Sequence, residues 1–221
     1  MSAAAPYGRH HTNRAPIVGI LLAAGSSSRF GADKLTASLP DGALIGVTAL
    51  KNLASAVDSV IAVVRPGDTA MASACAAHGA RVSVCPRASD GMGASLAWGV
   101  RGAAVASGWI IALADMPWID PTTIARVVAA LRAGASLAAP RFQGTRGHPV
   151  GIAARFYSAL AALSGDEGAR QLLAARASSV QLIEVDDAGI LRDIDVPADL
   201  SFPTDEFAHS VRRPRESGDP S

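Results

Sequence analysis

The sequence predicts an α/β fold, Rossmann-like, with a mainly parallel sheet covered by helices on both faces. Two observations carry this expectation. Short runs rich in branched residues, such as Ile17-Val18-Gly19-Ile20-Leu21-Leu22, are too continuously apolar for a strand with one wet face. Longer stretches of helical periodicity alternate with those runs. The 221 residues, 49% of them hydrophobic, suffice for one good-sized domain around a single core.

Each element follows in order. Ile17 to Leu22 is the first strand and ends in a glycine-serine loop. Asp41-Gly42 reads as a tight hairpin turn. Val47, Leu50, Leu53, Ala54 and Val57 recur at helical spacing between Gly46 and Val57, and Asp58 to Val64 is a second strand, completing a βαβ unit. Asp68 to His78 is helical, with His78 suited to the carboxyl end and Gly79 as the stop. Arg81 to Cys85 is a strand, Gly93 to Ala106 a helix and Trp109 to Leu113 a strand, after which Pro117 ends pairing. Pro121 opens a helix that reaches Arg132. After Ser136 to Pro140 the rhythm breaks. Arg141 to Gly151 holds three glycines, a proline and two arginines without periodicity, so it is expected to be a functional loop or lid. Helices near Ala153 to Leu163 and Gly168 to Arg176 precede a last strand, Val180 to Val185. Trp98 and Trp109 are expected in the core, with Met92 as a packing residue. The expected organisation is a flexible arm over 1–16, one domain over 17–201 and a disordered, proline-containing tail over 202–221.

Charge narrows the possible partners. Lysine and arginine total 20 against 19 acidic residues, a formal charge of +1, so no global field draws in nucleic acid or an anionic membrane. The longest strongly apolar run, Ile17 to Ala24, falls far short of the roughly 20 residues that a membrane-spanning helix needs. Met1 to Ala15 lacks the apolar segment of a secretory signal. Cys75 and Cys85 lack metal-site spacing and are expected as reduced thiols in a cytoplasmic protein. His10 and His11 have no third ligand at sensible spacing and are assigned nothing.

In open parallel sheets ligands bind beyond the carboxyl ends of the strands, which directs attention to the loop after the first strand. Leu22, Ala23, Ala24, Gly25, Ser26, Ser27 and Ser28 bring small residues whose amides can approach phosphate oxygens, and Arg29 and Lys34 add positive charge to neutralise a triphosphate. A P-loop needs Gly-Lys-Ser/Thr, whereas Lys34 lies three residues beyond Gly31 and is followed by Leu35. The dinucleotide fingerprint Gly-x-Gly-x-x-Gly is missing from the turn, which disfavours hydride transfer from a dinucleotide. Asp115, at a strand end before Met116-Pro117, is either a Mg²⁺ ligand bridging nucleotide phosphates or a turn residue. Gly91 and Gly93 open a helix beside Ser95, and either let backbone reach a base, with Ser95 near base or ribose, or serve close packing. His148 either orients a second substrate or caps its loop.

Together these residues resemble a known family. Leu22-Ala23-Ala24-Gly25-x-Ser27-x-Arg29-Phe30-Gly31-x-x-Lys34, Gly91-Met92-Gly93-Ala94-Ser95-Leu96, Asp115-Met116-Pro117, Gly147-His148-Pro149, Gly165-Asp166-x-Gly168-Ala169-Arg170 and Asp193-Ile194-Asp195-x-Pro197 look like the molybdenum cofactor nucleotidyltransferases. The similarity spans roughly Ile17 to Leu200 and implies the glycosyltransferase-A-like nucleotidyltransferase fold. It also implies Asp115 and Asp195 as a pair of Mg²⁺ ligands, and His148, Asp166 and Arg170 on the acceptor side. The implied reaction transfers a nucleoside monophosphate to the terminal phosphate of molybdopterin, with a molybdoenzyme of the xanthine dehydrogenase type as the eventual recipient. In that family Leu-Ala-Ala-Gly accompanies cytidylyl transfer and Leu-Ala-Gly-Gly guanylyl transfer, so Ala24 favours CTP over GTP. Two alternatives remain: another phosphorylated acceptor, such as a sugar phosphate or phospholactate-like compound, and a non-catalytic nucleotide-binding accessory protein. The segment Leu35 to Ile45 departs from the family's Pro-Leu-Leu-like continuation, which bears on acceptor choice.

Overall fold

A computed structural model of the chain describes residues 15–25, 30, 33–166 and 168–200. The expected tail over 202–221, and the expected arm apart from Ala15 and Pro16, lie outside these residues. The first half alternates strand and helix: β1 (Ile17–Ala23), α1 (Ile45–Ala54), β2 (Ser59–Val64), α2 (Thr69–Ala77), β3 (Arg81–Val84), α3 (Met92–Gly102), β4 (Gly108–Leu113) and α4 (Pro121–Arg132). The second half holds β5 (Leu137–Phe142), β6 (Thr145–Arg146), β7 (Val150–Ala153), α5 (Tyr157–Ala161), α6 (Ala169–Ala174) and β8 (Val180–Glu184). Helix boundaries follow local chemistry. The Asp68 carboxylate accepts from the Met71 amide to start α2, and Asp120 accepts from the Thr122 amide with Pro121 in the first turn of α4. Asp41-Gly42 forms the expected turn, with Gly42 at φ +84° and a bridge between Ser38 and Leu44.

The strands form one eight-stranded sheet in the order β3-β2-β1-β4-β7-β5-β6, with β8 pairing with β5. Pairing is parallel for β1 with β2 and β4, for β2 with β3 and for β5 with β8, whereas β7 runs antiparallel to β4 and β5, and β6 to β5. The sheet is therefore mainly parallel, as expected. Side chains of β1 alternate between two buried layers. Ile17, Leu21 and Ala23 join Leu50 and Leu53 of α1, Met71 of α2 and Val127 of α4. Val18 and Ile20 join Leu96 and Val100 of α3, Leu160 of α5 and Leu172 of α6. Both faces of the sheet are thus dry at its centre, around β1, β2 and β4.

Two sequence expectations are corrected. Arg141 to Gly151 is not a loop or lid: β5, β6 and β7 make antiparallel pairs there, with Gln143 and Gly144 at positive φ in the turn. Gly147 and Gly151 serve close approach, since a Cβ on Gly151 would meet Val127 and Leu131 of α4 at 2.9–3.2 Å, whereas Gly144 serves the positive φ of the turn. Trp98 is not core. It is 37% exposed, and its indole N–H donates to the Ser83 hydroxyl at 2.8 Å, whereas Trp109 is fully buried as expected.

Candidate active site

A cleft of about 680 Å³ opens beyond the carboxyl ends of β1 to β4. Leu22, Ala24 and Gly25 line it from β1, Arg65 and Pro66 from β2, Pro86, Ala88 and Ser89 from β3, and Leu113 and Asp115 from β4. The start of α3 contributes Gly91, Met92 and Ser95, and Lys34, Leu35, Asp166 and Asp195 complete the wall. The volume suits a small-molecule ligand, and strand termini are where a parallel sheet offers unpaired backbone groups.

One corner is strongly acidic. Carboxylate oxygens of Asp115, Asp193 and Asp195 lie within 4.8 Å of one another, which suits a hard divalent cation. Their convergence follows from backbone pairing. The Ala114 amide donates to the Leu22 carbonyl, so β4 carries Asp115 past the end of β1, and the Ile194 amide donates to the Asp115 carbonyl at 2.9 Å. Ile194 is fully buried, and in an extended segment its neighbours Asp193 and Asp195 share the opposite side. Asp199 holds this arrangement by accepting from the Asp195 and Val196 amides at 2.8 and 2.9 Å, and those bonds keep its own carboxyl below the ordinary carboxylate range. Asn52 of α1 donates to the Pro117 and Ile119 carbonyls, fixing the chain beyond Asp115.

Lys34 stands between the carboxylates. A 3₁₀ turn, Lys34–Thr36, presents it, and its ammonium donates to Asp115 at 2.9 Å and to Asp195 at 3.3 Å while the residue is 9% exposed. Burial works to lower its pKa, but the two carboxylates outweigh that and raise it above the ordinary lysine value. His148 lies near the same corner. Burial pushes its imidazole below the ordinary value against the pull of Asp115; Arg146 adds to the lowering and Asp193 opposes it. Its Nδ1 is buried without a hydrogen-bond partner, and its amide donates to the Ile190 carbonyl.

Of the residues singled out from sequence, Leu22, Ala24, Gly25, Lys34, Gly91, Ser95, Asp115, Asp166 and Asp195 share the one cleft. Ser26, Ser27, Ser28 and Arg29 lie outside the described residues. Ala23 faces the opposite layer, packed with α1. Gly91 and Gly93 meet the Ser164–Asp166 turn: a Cβ on either would strike it, and the Gly93 amide already donates to the Gly165 carbonyl at 2.7 Å. This contact brings Asp166 to the cleft, whereas Arg170 is exposed on α6 and is not among the lining residues. Sequence reasoning missed Asp193, Asp199 and Arg65. The alternation Asp193-Ile194-Asp195 was the available signal for the first.

An open, mainly parallel sheet with a lysine and carboxylates in a cleft at its strand ends is a frame suited to nucleotide and metal chemistry. Residues 19–181 match the MobA-like NTP transferase domain, and the chain belongs to this family of nucleotidyltransferases. The chain is 34% identical over 197 residues to the purine catabolism protein PucB of Bacillus subtilis (strain 168), covering 84% of this chain and 95% of that protein. It is 31% identical over 188 residues to nicotine blue oxidoreductase of Paenarthrobacter nicotinovorans, covering 81% and 92%. Among solved structures, Rv0371c from Mycobacterium tuberculosis H37Rv superimposes with a TM-score of 0.73 at 28% identity, over 85% of this chain and 96% of that one. A structure of Rv0371c complexed with manganese matches with a TM-score of 0.68 at 25% identity, over 83% and 95%. Among the described residues, no helix is long and apolar enough to cross a membrane.

Proposed function

We propose that this nucleotidyltransferase transfers CMP from CTP to the terminal phosphate of a molybdopterin-type acceptor, with Mg²⁺ as its metal, and releases pyrophosphate. The observation that carries this reading is the Lys34 ammonium set between Asp115 and Asp195 in the cleft at the strand ends. Asp115, Asp193 and Asp195 offer the all-oxygen donor set that Mg²⁺ prefers, and bound there it would neutralise charge on the triphosphate. Lys34, with Arg29, supplies further positive charge toward the departing pyrophosphate. The acceptor's phosphate oxygen forms the new bond to the α-phosphorus as the α–β bridging bond breaks, and pyrophosphate leaves with the electron pair. No protein nucleophile is required. Asp166, Arg170 and His148 are proposed to face the acceptor. Ala24 fills with a methyl group a position at the cleft wall where glycine would leave room, which supports the smaller base of CTP over GTP. The Bacillus subtilis relative is named for purine catabolism. This agrees with a client of the xanthine dehydrogenase type.

The test incubates the protein with Mg²⁺, molybdopterin and each nucleoside triphosphate separately while following pyrophosphate. CTP is expected to give the fastest release. Equal or faster release with GTP would overturn the base assignment, and release only with a different phosphorylated acceptor would overturn the acceptor.

A further inference from the structure

Arg65 follows the last residue of β2 and lines the cleft. Its Nη1 donates to the Gly25 carbonyl at 3.2 Å, its Nη2 to the Asp33 carboxylate at 2.5 Å, and its Nε lies 3.7 Å from Asp68. Gly25 and Asp33 are the two flanks of the loop after β1, and Asp33 directly precedes the turn that presents Lys34. The guanidinium therefore spans the gap between the end of the first strand and the base of the site lysine. Its own base is well anchored. Pro66 holds Arg65 extended, the Asp68 amide closes a turn onto the Arg65 carbonyl, and the buried Asp68 carboxylate caps α2. Asp33 and Asp68 already balance its charge, which suits a brace better than a free phosphate ligand.

We propose that Arg65 is a positioning residue for the nucleoside triphosphate: it ties Gly25, at the cleft wall, to Asp33, at the base of the turn that presents Lys34, and so fixes the site lysine relative to the end of β1. An exposed ion pair is ordinarily worth about 0–1 kcal/mol and would not distinguish this residue. Here all three guanidinium nitrogens face different segments, one of them a backbone carbonyl 40 residues away, and the side chain is only 30% exposed. Lysine, a point charge, cannot hold the three at once. The proposal rests on the cleft being the nucleotide site.

The test measures binding of a non-hydrolysable CTP analogue with Mg²⁺ by calorimetry in the full chain, alongside thermal melting. Arg65→Lys and Asp33→Ala are each expected to weaken binding about tenfold with little change in melting. The double variant is expected to be no weaker than the worse single one, because the two residues act through one contact. Wild-type-like affinity in both single variants would overturn the proposal, as would losses that multiply in the double variant. A wild-type protein that binds no nucleoside triphosphate would overturn the reading of the cleft and this proposal with it, and that result is separable from the first two.

Discussion

Lys34 both neutralises Asp115 and Asp195 and is kept charged by them. Lys34→Met preserves much of the side-chain volume but removes the charge, and is expected to cut turnover by about 100-fold or more, read from pyrophosphate release. Folding should survive, because the Asp195 side chain is 48% exposed and water can take over its solvation. His148 yields a pH prediction. Its folded-state pKa lies below the ordinary 6.5, so the unfolded chain binds the proton more readily between the two values. Stability is therefore present above about pH 6.5 and is lost as pH falls toward the folded value. Melting of the wild type should drop between pH 7.5 and 5.5, and His148→Gln should drop less; equal slopes would remove His148 as the cause. Much of the site was visible in the sequence because Gly25 and Asp115 stand just beyond strand ends and Lys34 follows the small-residue loop, chemistry unusual for turns. Arg65 was not visible, since its partners Gly25 and Asp33 are distant in sequence and only the pairing of β1 with β2 brings them near.

At the scale of elements, the least legible part was β7, whose four residues lie between β4 and β5 in reverse direction. A glycine, histidine and proline beside a short apolar run read as a loop because nothing local announces that α4 presses on Gly151. The central parallel strands β1, β2 and β4 were legible because each carries branched residues for two dry faces. Gly147 shows how an element can govern chemistry it does not perform. A Cβ there would meet the carbonyl of Ile190, just ahead of Asp193 and Asp195 in the chain. Gly147→Ala is expected to push that segment outward and weaken Mn²⁺ binding about tenfold or more, measured by the signal of free manganese. Gly144→Ala serves as the comparison: it strains a positive φ in the turn but meets no neighbour, so metal binding should stay within about twofold.

At the scale of the molecule, stability comes from two apolar layers on opposite faces of one sheet, while the acidic corner sits at the rim. Removing divalent metal with a chelator should therefore abolish turnover and leave the melting transition of the nucleotide-free protein nearly unchanged. Unfolding on chelation would show instead that the metal is structural. The separation of core from corner also bears on how the activity arises during synthesis. Asp115 meets Asp193 and Asp195 through the bond between Ile194 and the Asp115 carbonyl, a closure across most of the second half of the chain. Contacts so distant in sequence form late, after local structure has reduced the entropy of bringing them together. A ribosome that has exposed the chain only as far as Pro117 has delivered Lys34 and Asp115 but neither Asp193 nor Asp195. The nascent chain is thus expected to be inert toward nucleotides until Asp195 emerges, so that an unfinished protein does not consume them.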